Sequence, residues 1–289
     1  ARRVFPTERE RGLPHLVSAL EKVIPELLKE TDLSEQHVVG MGVGLPAFLD
    51  GRGFLHEAVN LGWRQLPVLE TLADCFPWPV RVDNDANLAA LAESWQGHGR
   101  GKNPLLCLTL GTGVGGGVVI DGRLFHGSSH MAGEIGHLSV SPRQWPCRCG
   151  RTGCLETVSS ATGLLRLAQD GLDEGIDSRL AREPLTVEAL FRAAQQGDEL
   201  ARAVLDEAAT ALAEALAMVG VILNPQRILL GGGVMHVAHH WPRDIERKLH
   251  ERGLPRAVAH VDVRPARLLN DAGMIGAAAL FLHPRGGMT

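Results

Sequence analysis

The sequence contains no tyrosine and no long apolar run. None of the 289 residues is Tyr, and we attach no mechanistic meaning to that absence. A helix that crosses a membrane needs about 20 consecutive apolar residues, and no stretch of the chain reaches that length. The first residues also show no apolar region of the signal-peptide kind. We therefore expect a globular protein with no membrane partner.

Charge and cysteine content restrict the possible partners further. The net charge of −4 gives no electrostatic reason to expect nucleic-acid binding. Two of the five cysteines, Cys75 and Cys107, are isolated among apolar residues, which suits a reducing compartment. The chain shows no internal repeat or low-complexity segment, and its length suits two domains. We expect a cytoplasmic protein without disulfides.

Three of the cysteines lie within eight positions of one another: Cys147, Cys149 and Cys154. Gly150 and Gly153, which allow a tight loop, lie between Cys149 and Cys154, and His137 precedes all three cysteines. Three thiolates and one imidazole complete the tetrahedral shell that zinc prefers in structural sites. The alternative is a chance cluster of buried or free thiols. The density of the motif favours zinc.

Apolar periodicity predicts strands that alternate with helices, which indicates the α/β class. The predicted helices are 12–30, 66–76, 87–96, 162–169, 187–195, 200–223, 241–251 and 272–281. The predicted strands are 37–43, 80–82, 105–110, 117–120, 227–230 and 261–264, and residues 1–6 resemble the end of another. Strands 105–110 and 117–120 would form a hairpin. Glycine-rich turns follow several strands, where open α/β sheets bind ligands.

Four motifs give the chain a family resemblance. GEIGH at 133–137, CRCGRTGCLE at 147–156, DNDAN at 83–87 and GTGVGGG at 111–117 resemble the signature of the ROK family, over about residues 4–282. Its members are sugar kinases and sugar-responsive repressors. The resemblance implies an actin/hexokinase-like fold of two α/β domains around a central cleft. We expect residues 1–104 plus 271–289 to form the N-terminal domain and 105–270 the C-terminal domain.

One family element is not found in the printed chain. Kinases of the family begin with a hairpin that carries a D-x-G-G-T turn, which binds phosphates. We interpret the chain as a truncation, a misassigned start or the ordered part of something longer. Without the hairpin, we expect the strand at 37–43 to lack a pairing partner, at a cost of several buried hydrogen bonds.

The resemblance assigns the reacting carboxylate and the sugar contacts. Asp85 would accept the proton of the sugar hydroxyl, a task that phosphoryl transfer requires of a positioned carboxylate. The alternative is that DNDAN only caps a helix, and we assign that capping role to Asp83. The sugar would be bound by five residues: Asn60, Asn84, Glu134, His137 and Glu156.

The same resemblance assigns the nucleotide contacts. Thr112 and Gly113 match the second phosphate loop of the family, and Gly231 with Gly232 match its adenosine-binding turn. Glycines let backbone N–H groups approach phosphate closely. We expect ATP with Mg²⁺, the magnesium ion being carried mainly by the nucleotide. Zinc would be a structural cofactor held by His137 and the three cysteines.

We interpret the chain as an ATP-dependent kinase of a glucose-like hexose. The first alternative is a sugar-responsive repressor without its DNA-binding part, and the second is a sugar-binding relative without catalytic activity. The Asp85 carboxylate and the intact GTGVGGG motif favour the enzyme, because a sensor needs neither a base nor a phosphate loop. The resemblance also implies a homo-oligomer, either a dimer or a tetramer.

Overall fold

The computed structural model describes residues 1–283, which contain ten strands and ten α-helices joined by loops and 3₁₀ turns. The strands are β1 (Met41–Leu45), β2 (Phe48–Leu49), β3 (Leu55–Ala58), β4 (Trp63–Leu66), β5 (Val80–Asn84), β6 (Leu105–Leu110), β7 (Val114–Ile120), β8 (Arg123–Leu124), β9 (Arg227–Gly231) and β10 (Asp262–Pro265). The helices are α1 (Gly12–Glu30), α2 (Val68–Cys75), α3 (Asp85–Gln96), α4 (Glu156–Ser159), α5 (Ala161–Asp173), α6 (Val187–Gln195), α7 (Glu199–Ile222), α8 (Trp241–Arg252), α9 (Pro255–Val258) and α10 (Ala272–Leu282). The last part of the predicted N-terminal domain, 284–289, lies outside the described residues.

The strands form three sheets. The largest has the order β10-β9-β6-β7-β8, in which β6 and β7 are an antiparallel hairpin and β9 runs parallel to both β6 and β10. β1 and β5 form a parallel pair. The third sheet is the antiparallel series β2-β3-β4. Strands β6 and β9 are each followed by a glycine-containing turn, and β5 leads directly into α3, so the ends of these parallel strands are available to bind ligands.

The structure confirms the alternation of strands and helices and the predicted hairpin, and it corrects three details. The strand predicted at 37–43 lies at Met41–Leu45 and does have a partner, because Met41 to Leu45 pair in register with Val80 to Asn84. Residues 1–6 form no strand. The sheet β2-β3-β4 was not predicted, since its strands contain only two to four residues each.

The apolar core is divided into two large clusters. One contains residues from Leu106 to Val263 and fills the space between the five-stranded sheet and helices α5 to α9. The other contains residues from Leu13 to Phe76 and packs α1 and α2 against the two smaller sheets. None of the helices in residues 1–283 has both the length and the apolar character needed to cross a membrane.

Helix α3 lies between the two parts of the molecule, and glycines permit its close contacts on both sides. On β7, a Cβ added at Gly117 would lie 2.8 Å from the carbonyl oxygen of Ala86 in α3. On α10, a Cβ at Gly276 would collide with the backbone of Leu88. Every residue of α3 from Ala86 to Glu93 is buried. The position of α3 therefore depends on backbone contacts that a larger residue would prevent.

We predict that Gly276→Ala destabilises the protein by about 1–3 kcal/mol, because the new methyl group would push α10 away from α3. The matched control is Gly273→Ala, which lies one turn earlier in α10 with open space around it. Replacing that helical glycine is expected to stabilise the protein by up to about 1 kcal/mol. Urea-induced unfolding measures both changes. Equal stabilities for the two variants would show that the contact between α3 and α10 tolerates a side chain.

Candidate active site

A cleft of about 530 Å³ lies beside the start of α3, the β6–β7 turn and the cysteine loop. Eleven of the residues predicted to bind sugar, nucleotide or metal, or to catalyse, line it: Asn60, Asn84, Asp85, Thr112, Gly113, Glu134, His137, Cys147, Cys149, Glu156 and Gly232. Cys154 lies behind this surface and is fully buried. Gly231 does not line the cleft, because it packs against Ala266. The fold thus brings together residues that are far apart in the chain.

Asp85 is the first residue of α3, directly after β5. The preceding residue, Asn84, caps the helix: its Oδ1 accepts hydrogen bonds from the N–H groups of Ala86 at 2.8 Å and Asn87 at 3.2 Å. Asp85 is exposed to the cleft, whereas nearby protein atoms partly desolvate its carboxylate. Desolvation therefore raises the pKa of Asp85, although the N–H of Ala86 partly opposes this by donating to the carboxylate at 2.9 Å.

The helix cap is Asn84, so the capping role that we assigned to Asp83 is wrong. Asp83 still belongs to β5, and its side chain points into the interior. Its Oδ1 accepts hydrogen bonds from the N–H of Asn84 at 2.7 Å and from Asn87 Nδ2 at 2.9 Å. Its Oδ2 pairs with His126 Nε2 at 2.7 Å. Asp83 therefore holds together the strand, the helix and the loop that contains His126.

His137 lies between two carboxylates on the opposite wall of the cleft. Its Nε2 is 3.8 Å from Glu134 Oε2, and its Nδ1 is 3.9 Å from Glu156 Oε1. Burial raises the pKa of Glu134; His137 lowers it, and the charges of Glu156 and Asp85 raise it further. Carboxylates and an imidazole offer both acceptors and donors. This wall can therefore hydrogen-bond the hydroxyl groups of a sugar.

The predicted metal ligands converge on one point, and their spacing fits zinc. The donor atoms of His137, Cys147, Cys149 and Cys154 all lie within 4.8 Å of one another. Zinc–sulfur bonds of about 2.3 Å in a tetrahedron imply sulfur atoms about 3.8 Å apart. The Sγ atoms of Cys149 and Cys154 are 3.7 Å apart, and Cys147 Sγ is 3.6 Å from His137 Nδ1. The donor set and its geometry both suit a structural zinc site.

The GTGVGGG motif divides into a turn and a packing surface. Gly115 and Gly117 face α3, and Gly116 packs against the backbone of Gly133 in the GEIGH segment. These three glycines are therefore explained by close packing. In the turn at 111–113, an added Cβ at Gly111 or Gly113 would meet no backbone atom, so close packing does not explain these two glycines. Thr162 Oγ1 donates a hydrogen bond to the Thr112 carbonyl at 3.1 Å, which fixes the turn against α5.

The turn after β9 also requires glycine. Gly232 has a φ of 85°, which other residues adopt at an energetic cost, and an added Cβ would lie 2.5 Å from the carbonyl oxygen of Leu110. This turn is thereby held against the end of β6. Gly232 contributes to the same cleft as the 111–113 turn.

A second cavity of about 210 Å³ adjoins the cleft, and Asn84 and Glu134 line both. Its polar residues include Asp83, His126 and His130. The two imidazoles are stacked with ring centroids 4.7 Å apart, and His130 has a φ of 58°. The wall that contains Glu134 therefore has space behind it.

Sequence reasoning did not identify two cationic residues of the cleft, Arg148 and Arg166. Arg148 lies in the cysteine loop, and Arg166 lies four residues after Thr162 on α5. Residues four apart share one face of a helix. The spacing from Thr162 could therefore have placed Arg166 beside the 111–113 turn.

Two α/β parts around a polar cleft, with glycine turns at the strand ends, define the class of actin/hexokinase-like proteins. The sequence model of the ROK family matches residues 4–283. The chain belongs to the ROK family.

Individual relatives support the same assignment. The chain is 40% identical to a glucokinase of Halalkalibacterium halodurans, an alignment that covers 98% of this chain and 88% of the relative. It resembles the solved ROK family glucokinase of Streptomyces griseus in complex with glucose and AMPPNP, with 30% identity and a TM-score of 0.74 over 96% of this chain and 89% of the other. It also resembles a ROK family transcriptional regulator homologous to the E. coli MLC protein, with 29% identity and a TM-score of 0.83 over 93% of this chain and 68% of the other. The predicted fold is confirmed.

We predict that the purified protein contains one zinc ion per chain and that Cys149→Ser lowers both the zinc content and the melting temperature. Metal-binding energy contributes to folding energy when the unfolded chain lacks a preformed site. The matched control is Cys75→Ser, which removes another exposed free thiol outside the cluster. Elemental analysis and thermal unfolding provide the two measurements. A protein that is free of metal yet fully folded and active would refute the zinc site.

Proposed function

We propose that the protein is an ATP-dependent kinase that phosphorylates a hydroxyl group of a glucose-like hexose. The observation that carries the proposal is the placement of Asp85, a carboxylate with a raised pKa, in one cleft with a sugar-binding wall and a glycine turn. The 40% identity to a glucokinase over nearly the whole chain supports the same reaction.

Asp85 serves as the general base in this proposal. When a hexose hydroxyl lies next to its carboxylate, Asp85 accepts the proton as the oxygen attacks the terminal phosphate. Partial desolvation by the surrounding protein makes the carboxylate a better proton acceptor than an aspartate in water, because it raises the pKa. The backbone hydrogen bond from Ala86 fixes its orientation.

The sugar is held by Asn60, Asn84, Glu134, His137 and Glu156, all of which line the cleft. Asn84 has a limited share of this task, because its Oδ1 caps α3 and its Nδ2 donates to the Ala47 carbonyl at 3.2 Å. His137 serves both sites: Nδ1 faces Cys147, and Nε2 faces Glu134 on the sugar side.

ATP enters with Mg²⁺, and the 111–113 turn with Thr112 and Gly113 receives its phosphates. Gly232 begins the turn for the adenosine part, and Gly231, the last residue of β9, positions that turn without lining the cleft. Zinc, held by His137, Cys147, Cys149 and Cys154, supplies structural support and no redox chemistry. Its binding would fix the orientation of the His137 ring toward the sugar.

We propose that residues 1–104 and 271–289 form one domain and that residues 105–270 form the other. Its support is the separation of the apolar core into clusters from Leu13 to Phe76 and from Leu106 to Val263. We further propose a homo-oligomer, a dimer or tetramer, that acts in the cytoplasm. Thiolate ligation of zinc is compatible with a reducing compartment.

The second candidate is a sugar-responsive repressor, favoured by the TM-score of 0.83 to a ROK transcriptional regulator. A repressor body would bind a sugar without transferring phosphate. Incubating the full-length protein with hexoses and ATP, and following ADP release, separates the two functions. Sugar binding without ADP release would support the repressor and refute the kinase.

We predict that Asp85→Asn in the full-length protein lowers kcat by at least about a hundredfold and leaves hexose affinity within about threefold of wild type. Asparagine keeps the shape of the side chain but cannot accept the proton. Because the folded state raises the pKa of Asp85, the charged carboxylate lowers stability above the ordinary aspartate pKa. The variant should therefore melt at the same temperature as wild type or higher.

A coupled ADP assay, calorimetric titration with hexose and thermal unfolding give these three readouts. The control is Asp74→Asn, on α2 and outside the cleft, which should leave kcat unchanged. Turnover near the wild-type rate in Asp85→Asn would remove Asp85 from the catalytic role.

We also predict that kcat falls with decreasing pH through a pKa above the ordinary aspartate value of about 3.9. The base must be deprotonated to work, so activity is lost as the pH falls through the raised pKa of Asp85. Glu134 also has a raised pKa, so the profile of Glu134→Gln is the control: it should keep an acid limb, moved only slightly to lower pH by the loss of the Glu134 charge. A kcat that stays constant down to the ordinary aspartate pKa would contradict this assignment.

A further inference from the structure

The two arginines of the cleft have no carboxylate partner. Within residues 1–283, no acidic oxygen lies within 4.0 Å of the guanidinium groups of Arg148 or Arg166. By contrast, Arg143 forms a two-point ion pair with Glu207, with both distances at 2.8 Å. Two unpaired cations on the wall of a cleft that also contains several carboxylates are available for an anionic ligand.

Arg166 is held in place without using its hydrogen-bond donors. Its Cζ atom lies 3.8 Å from the ring centroid of Trp145, which is a cation–π contact. Trp145 is itself fixed, because its carbonyl accepts a hydrogen bond from the N–H of Gly153 at 3.0 Å and its ring packs against the large core cluster. Stacking leaves the guanidinium N–H groups free at the edge of the group.

The same helix binds the phosphate turn. At the start of α5, the N–H of Ala161 donates to the Gly111 carbonyl at 2.8 Å, and the hydroxyl of Thr162 donates to the Thr112 carbonyl at 3.1 Å. Arg166 follows Thr162 by one helical turn on the same face, and both side chains line the cleft. The cation is therefore attached to the element that positions the 111–113 turn.

We propose that Arg166 binds the phosphate chain of the nucleotide, and that Arg148, which lines the same cleft, adds a second positive charge. The inference rests on the proposed kinase function and names a residue that contributes to binding of its phosphate donor. A hexose is neutral and has no charge for the unpaired arginines to stabilise, whereas a phosphate chain carries several negative charges. A guanidinium also matches two phosphate oxygens at once.

The test is calorimetric binding of ADP, adenosine and hexose to the full-length protein and its variants. Arg166→Met is expected to weaken ADP binding by about tenfold to a hundredfold, because a charge-assisted hydrogen bond is lost. Adenosine and hexose affinities should stay within about twofold of wild type, and Arg166→Lys should lose less ADP affinity than the Met variant. Arg143→Met is the matched control, because Arg143 also lies over Trp145, at 5.6 Å, but outside the cleft.

Three results would overturn the inference: unchanged ADP affinity in Arg166→Met, an equal loss of adenosine affinity, or a loss of hexose affinity. Arg166 is exposed, and thermal unfolding checks that each variant is folded. The proposed function fails in a different way, because wild-type protein would then release no ADP with any hexose. The comparison between ADP and adenosine does not require turnover, so the two failures can be told apart.

Discussion

The position of the proposed base depends on how closely helix α3 approaches its neighbours. Gly117 of β7 meets the backbone at Ala86, and Gly276 of α10 meets the backbone at Leu88. Protein interiors are packed at crystal-like density, so a backbone that touches two neighbours has little freedom to shift. Asp85 is the first residue of this helix, so the same backbone contacts also fix its position. Close backbone packing on two sides is thus what places one carboxylate accurately in the cleft.

The ends of α3 are fixed by polar contacts that complement this packing. Asn84 caps the first turn, and Glu93 near the other end is fully buried. Both carboxylate oxygens of Glu93 accept backbone hydrogen bonds, from Arg267 at 2.7 Å, Leu268 at 2.6 Å and His98 at 2.9 Å. Such bonds offset the cost of burying a charge. At Asp85, by contrast, desolvation raises the pKa, and backbone hydrogen bonds oppose this only in part.

The sequence predicted what depends on local patterns and could not predict what depends on neighbours in space. Long helices such as α7 follow from their apolar periodicity, and the convergence of Cys147, Cys149 and Cys154 follows from their dense spacing. Asp83 and Asn84 are both good capping residues, and only the end of β5 decides between them. In GTGVGGG, the packing role of Gly117 becomes visible only when α3 lies against it. Trp145 and Arg166 lie in different segments of the chain, so no local sequence pattern could predict their contact.

The cysteine loop contacts three other features that line the cleft: His137, Glu156 and, through Trp145, Arg166. Its thiols converge with His137, whose other ring nitrogen faces the proposed sugar wall. The Cys147 thiol donates a hydrogen bond to Glu156 at 2.9 Å, and zinc binding would displace the proton that makes this bond. The N–H of Gly153 in the same loop donates a hydrogen bond to the Trp145 carbonyl, and the Trp145 ring stacks on the guanidinium of Arg166. A metal that orders this loop would therefore act on the sugar contacts through His137 and on the nucleotide side through Arg166, without touching either ligand.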